Sequence, residues 1–149
     1  MEYTNLINIL NTIGTEIRDK YKEKVKKGAY ATGKLYNSVQ YKVNVTNTSI
    51  KLSLNLEDYW INIEEGRVAG KKMPPISVIR KWMLSKSIPD NKGIAYLIAR
   101  KISEKGIKAK PYLKQTKNEV IPNYLDDITK AINKDLKESL KLNKNDRNK

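Results

Sequence analysis

The stretch YWINIEEGRVAGKKMPPISVIRKW, residues 59–82, decides how this chain is built. It sets two aromatic residues, an acidic pair, two glycines, a double lysine and a double proline between two apolar patterns, so it cannot be one regular element. Tyr59, Trp60, Ile61 and Ile63 form an apolar cluster that Gly66 terminates, glycine being the residue that accepts the positive φ common just past a helix end. Nothing is periodic from Arg67 to Met73. Pro74 and Pro75 then stiffen the backbone, and Pro75 is placed to open a new helix at Ile76. The stretch reads as element, hinge, loop, element. A loop between rigid neighbours is exposed and aimed, which suits a binding surface; a plain solvated connector is the alternative.

Upstream, Tyr3, Leu6, Ile7, Leu10, Ile13, Ile17, Tyr21 and Val25 recur at three- and four-residue steps and predict an amphipathic helix that Gly28 stops. Thr32 is placed to cap a short helix from Lys34 to Ser38. Val39, Tyr41, Val43 and Val45 alternate with polar residues, as do Ile50, Leu52, Leu54 and Leu56, which predicts a hairpin turning through residues 46–49. A lone hairpin is marginal, so its apolar face requires the first helix or a later one.

Downstream, Ile76, Ile79, Trp82 and Met83 mark a short helix that residues 87–89 end. Asp90 or Asn91 caps another, with Ile94, Ala95, Ile98, Ala99 and Ile102 on one face and Gly106 at its close. The segment IKAKPYL (107–113) looks extended and suited to adding an edge strand to the hairpin. Val120, Ile121, Tyr124, Leu125, Ile128, Ile132, Leu136 and Leu140 predict a long final helix, kinked at Pro122 or starting near Asn118 or Glu119. The expectation is one α+β domain over residues 1–142, followed by a polar, flexible tail, NKNDRNK (143–149).

The chain has 149 residues, enough to bury a core without staples. It contains no Cys and no His, which removes disulfides, thiolate metal sites and the commonest general base. No apolar run approaches the roughly 20 residues of a membrane span. The composition therefore predicts a soluble intracellular protein. The net charge of +14 is concentrated: residues 67–118 carry 14 Lys and Arg against Asp90 and Glu104. Residues 1–66 hold 9 against 8, and residues 119–149 hold 7 against 6. Such a block favours a phosphate backbone or an acidic protein surface as partner, although lysine also serves simply as a solubilising residue.

Three patterns invite a catalytic reading. In GAYATGKL (28–35), Gly28, Gly33 and Lys34 have P-loop spacing, but Leu35 stands where a magnesium-binding hydroxyl belongs, and a helix precedes in place of a buried strand. The pairs Glu57/Asp58, Glu64/Glu65 and Asp126/Asp127 are sequence neighbours, which do not converge on one metal without a third ligand. A nuclease-type set drawn from Asp90, Asp135 and Lys137 places two members on a helix, where solvated charge is the ordinary reading.

Five segments in order carry a resemblance: ATGKLYNSV (31–39), YWINIEEG (59–66), MPPISVIRKW (73–82), AYLIARKI (95–102) and GIKAKPYL (106–113). The chain resembles the tail-completion or neck family of tailed bacteriophages. There a TG-x-L-x-x-S turn, a Y-x-x-x-V-E-x-G helix end, a proline-led I-x-x-W helix, an A-x-x-I-A-R-x-I helix and a G-x-x-x-x-P-F-L segment follow one another. Ile63 replaces the valine, Tyr112 the phenylalanine, and Arg67-Val68 stands where a threonine commonly follows the glycine. The resemblance implies a non-enzymatic virion component without cofactor or metal, assembling as a ring between portal and tail around the DNA channel. Its partners would be copies of itself, neighbouring neck, portal or tail proteins, and passing DNA, with no membrane. Joined to the charge map, it marks Gly66, Arg67, Val68, Gly70, Lys71, Lys72 and Met73 as a partner-docking loop. Arg80, Lys81, Arg100, Lys101, Lys108 and Lys110 would face DNA or an acidic neighbouring ring, and the first and last helices would supply interfaces between copies. The alternative is a free basic nucleic-acid-binding protein with Arg80, Lys81, Arg100 and Lys101 on phosphate.

Overall fold

The computed structural model describes residues 3–29 and 33–146, and the side chains through residue 141. The architecture is α+β. In chain order it runs α1 (Thr4–Gly28), α2 (Lys34–Ser38), β1 (Gln40–Val45), β2 (Ile50–Asn55), α3 (Trp60–Glu65), α4 (Ile76–Ser85), α5 (Lys92–Lys105), α6 (Tyr112–Val120), a 3-10 turn (Ile121–Tyr124) and α7 (Leu125–Asp146). The chain forms two compact units. One comprises Met1–Glu23, Val39–Asn55 and Lys114–Lys149, the other Lys24–Ser38 and Leu56–Leu113.

In the first unit, α1 buries Ile13, Ile17 and Tyr21, spaced by one helical turn each. The hairpin pairs Tyr41 with Leu54, Val43 with Leu52 and Val45 with Ile50, so its apolar residues share one face and Lys42, Asn44, Lys51 and Ser53 the other. Its turn is closed by Ser49 N donating to Thr46 Oγ1 at 3.0 Å and Thr46 N donating to the Ser49 carbonyl at 2.8 Å. The apolar face lies on α1 at Gly14: a Cβ there would come within 2.5 Å of the Tyr41 ring and 2.9 Å of a Leu52 methyl. Absence of a side chain at Gly14 is what lets helix and hairpin approach this closely, and the marginal hairpin gains its support there. Thr15 donates to the Tyr41 hydroxyl at 3.1 Å, and the Arg18 guanidinium sits over the same ring, 5.7 Å from its centroid.

Asp135, fully buried on α7, closes the free end of α1. Its carboxylate accepts from Asn5 N at 3.0 Å, Leu6 N at 2.9 Å and Asn5 Nδ2 at 2.7 Å. The first turn of a helix has no internal partners for its N–H groups, and an anion there also meets the positive end of the helix dipole. A residue 130 positions downstream thus acts as the cap that the local sequence lacks.

In the second unit, Ile79 and Met83 of α4 and Ala95 and Ala99 of α5 form a buried cluster, with Met73, Ile76, Ile88, Ile98 and Ile102 packed against it. Alanines one turn apart let α4 come close, and Met83 occupies the space they leave. α4 ends in a Schellman arrangement: Ile88 N bonds the Met83 carbonyl at 2.9 Å and Ser87 N the Leu84 carbonyl at 3.0 Å, with Ser87 at φ 57°. Ile88 then folds back onto the cluster. Asn91 caps α5 by accepting from Ile94 N at 3.1 Å. The short α2 is held by a hydrogen bond from Leu35 N to the Tyr59 hydroxyl at 2.8 Å.

Two expectations change. The segment 107–113 adds no strand to the hairpin: the sheet has two strands among the described residues, Ile107 pairs with Arg67 instead, and α6 begins at Tyr112. The positive φ of Gly106 redirects the chain, and Pro111, lacking an N–H, suits the residue before a helix. The final helix is two helices: α6 buries Thr116 and Val120, and Pro122 breaks the run into a 3-10 turn before α7. On α7, Leu125, Ile132, Leu136 and Leu140 are exposed. The backbone of α7 continues through Asp146; Thr32 and residues 147–149 lie outside the described residues.

Burial pushes the Asp135 pKa up, but the hydrogen bonds from Asn5 and Leu6 outweigh it and hold the carboxyl below its ordinary value. Its contribution is therefore complete above the unfolded-chain pKa and is lost as pH falls through the lower folded value. We expect Asp135→Ala to lower unfolding stability by about 2–3 kcal/mol in urea titrations at neutral pH. Asp135→Asn keeps an acceptor oxygen, so it should cost less and flatten the loss of stability below about pH 4.

Candidate docking surface

Two helix ends meet in the second unit. α3 stops at Gly66 (φ 69°, ψ −153°) and α5 at Gly106 (φ 72°, ψ −167°). The residues that follow pair reciprocally: Arg67 N donates to the Ile107 carbonyl and Ile107 N to the Arg67 carbonyl, both at 2.8 Å. A Cβ on Gly66 would stand 2.3 Å from the Ile107 oxygen, and one on Gly106 would stand 2.2 Å from the Arg67 oxygen. Positive φ and close approach thus both require glycine at these two places.

Further bonds run along the seam. Lys110 N donates to the Ile63 carbonyl at 2.8 Å, Gly70 N to the Ser103 carbonyl at 2.7 Å, and Ser103 Oγ to the Lys71 carbonyl at 2.6 Å. Leu113 N donates to Glu64 Oε2 at 3.0 Å. Arg67 turns its guanidinium back onto the Lys72 carbonyl, and its Nε is buried with no hydrogen-bond partner among the described residues. At the far end Met73 packs against the α4–α5 cluster. The loop marked by the sequence is therefore a braced turn instead of a free arm. It still presents side chains outward: Val68 is 71% exposed, and Lys71 and Lys72 are exposed.

The basic residues divide by type. Arg80 forks onto Asp90, with Nε 2.6 Å from one carboxylate oxygen, and Arg100 Nε lies 2.8 Å from Glu104. Each pairing raises the arginine pKa, through the hydrogen bond first and charge second, and Arg80 in turn lowers that of Asp90. Lys110 donates to the Gly28 carbonyl. Lys81, Lys101 and Lys108 are exposed and form no ion pair among the described residues. The structure thus brings Lys108 beside the loop through the Arg67–Ile107 pair, while Arg80, Arg100 and Lys110 are engaged within the chain. The second unit holds 16 Lys and Arg against 6 Asp and Glu, +10 of the total +14.

Ser103, Gly106 and Ile107 were not marked from sequence as parts of this surface. One signal does point to them: EEGRV and SEKGIK both end a helix at a glycine, with a β-branched residue, Val68 or Ile107, within two positions of it.

The first unit carries a shallow groove lined by Asn11, Thr12, Thr15, Glu16, Asp19, Lys20, Tyr41 and Tyr124. Tyr124 donates to Glu16 at 2.6 Å, and Lys20 pairs with the same carboxylate at 2.8 Å. Lys20 and then Tyr124 lower the Glu16 pKa, and the bond to Glu16 raises that of Tyr124. Both shifts lead away from neutrality, opposite to the tuning of an acid–base pair. Asp90 and Asp135 are each engaged, one by Arg80 and the other by the start of α1. Among the described residues no group of three or more acidic side chains could hold a metal ion. No described helix is long and apolar enough to cross a membrane. Comparison with known proteins returns no match to a family model, a curated protein or a solved structure.

Gly106→Ala should cost at least about 2 kcal/mol of stability, from strained φ plus collision with the Arg67 carbonyl. Gly70 has φ 79° but nothing within 4 Å, so Gly70→Ala carries the conformational cost alone, about 1–2 kcal/mol. Paired thermal melts of the two variants check the order.

Proposed function

We propose that this chain is a structural component of the head–tail connection of a tailed bacteriophage, a neck or tail-completion protein that forms a ring around the DNA channel. The observation that carries the reading is the braced, lysine-bearing turn. Two of the five family-like segments, YWINIEEG and GIKAKPYL, supply the glycines and the bridge residue behind it. A rigid exposed turn can be docked without a large ordering cost, which favours a stacking contact between rings. Charge adds support: a ring repeats the +10 unit in every copy, multiplying its attraction for a polyanion in the channel or an acidic neighbouring ring. Contact between copies would use the helices at the two ends of the chain. The exposed Leu125, Ile132, Leu136 and Leu140 on α7 offer an apolar stripe for that purpose.

The test is Lys71→Glu combined with Lys72→Glu. Both side chains are exposed, so the circular dichroism spectrum should be unchanged and the unfolding free energy should stay within about 0.5 kcal/mol of the parent chain. Completed particles should fall at least tenfold, with heads and tails accumulating separately. Undiminished particle assembly would remove the role. If the isolated chain is a monomer by mass photometry and shifts duplex DNA tightly in a salt-dependent manner, it is a free nucleic-acid-binding protein instead.

A further inference from the structure

We propose that segments 67–72 and 103–108 form a single two-part knob whose partner is an acidic protein surface with an apolar pocket. This deepens the docking role proposed above and rests on that reading for where the partner is found.

The two segments, RVAGKK and SEKGIK, are one piece of surface because the Arg67–Ile107 pair and the Gly70–Ser103 and Lys71–Ser103 bonds join them. Together they hold five cationic side chains and one anionic one. The single acid, Glu104, is taken by Arg100, and Arg67 is turned onto the Lys72 carbonyl. Lys71, Lys72, Lys105 and Lys108 remain, all exposed and without ion pairs among the described residues. Their charge selects an anionic partner and excludes another copy of the same knob.

Apolar exposure decides the class of partner. Val68 is 71% exposed and Ile107 48% exposed, and both belong to the lysine-bearing segments. Against a sugar–phosphate backbone these two side chains would meet charged oxygens and gain nothing. Against a protein pocket they bury apolar area. The kind of cation agrees: the arginines of this unit, whose forks match phosphate, are occupied by Asp90, Glu104 and a backbone carbonyl, and compact lysine charges are what the knob offers. Arg67 acts as a positioning residue, since it braces the turn from behind.

The experiment measures fluorescence anisotropy on the full chain with three labelled probes: a short peptide of Glu interspersed with Leu, an all-Glu peptide of equal charge, and a short DNA duplex. The Glu–Leu peptide should bind roughly tenfold tighter than the all-Glu peptide, what burial of one valine side chain is worth. Val68→Ser together with Ile107→Ser should erase that preference, Val68→Ser alone should reduce it severalfold, and Lys71→Glu with Lys72→Glu should weaken both peptides while circular dichroism stays unchanged. Duplex bound as tightly as the Glu–Leu peptide at equal salt, or a preference undiminished by Val68→Ser, overturns the proposal. An intact preference in a chain that never enters a particle supports the knob and removes the virion role. A vanished preference alongside normal rings removes the knob and leaves that role standing.

Discussion

Two backbone hydrogen bonds between Arg67 and Ile107 hold the second unit's exposed turn in place, and everything proposed for that surface depends on them. A bridge of one residue pair is a weak sheet in isolation. It persists because glycines on both sides let each chain turn sharply out of a helix, and because α5, which ends at one of them, is already fixed by the Met83–Ala95–Ala99 cluster. Rigid elements thus set the positions of the two ends, and the bridge converts that rigidity into a defined loop shape. Side chains along the seam add local bracing: Ser103 to the Lys71 carbonyl, and Arg67 to that of Lys72. A loop built this way has already lost most of the conformational freedom that docking would otherwise remove.

How much of this was legible follows from the range of each interaction. α1, the hairpin, α4 and α5 are visible in the sequence because periodicity, caps and glycine stops are local: Asn91 caps α5, Pro75 precedes α4, and Gly106 closes α5. The bridge was not visible, since it joins backbones 40 positions apart and leaves no side-chain signature except the two glycines. The lysine–apolar alternation of IKAKPYL suggests a strand for the hairpin, whereas its first residue pairs with the loop and its last two begin α6. Asp135 shows the same limit. On the sequence it is one more polar residue on a helix, a member of an acidic set with Asp90; in the structure it is the fully buried cap of α1.

The charge map was legible in amount and only partly in meaning. Counting placed the excess between residues 67 and 118, but counting treats arginine and lysine alike. The arginines of this unit are internal fasteners, each directed at a carboxylate or a carbonyl, while Lys71, Lys72, Lys105 and Lys108 are exposed and form no ion pair among the described residues. The chemistry of the two groups explains the division. A planar guanidinium makes directed, paired bonds that fix a chain, whereas an ammonium on a flexible stem remains well solvated and is free to meet an incoming anion.

The apolar stripe on α7 is exposed along one side of the helix. Periodicity states that a helix has a side suited to burial, and says nothing about what covers it. On α7 that side is shared: Ala131 and Asp135 are buried, whereas Leu125, Ile132, Leu136 and Leu140 are left exposed. A monomer rarely leaves a run of large aliphatic residues along one helix without use for it. The same chain gathers its excess positive charge in the other unit, where identical copies would repel. Under the ring reading, like meets like through the nearly neutral helix and unlike through the lysine-bearing turn. On that reading, self-association would select by apolar contact and partner docking by charge.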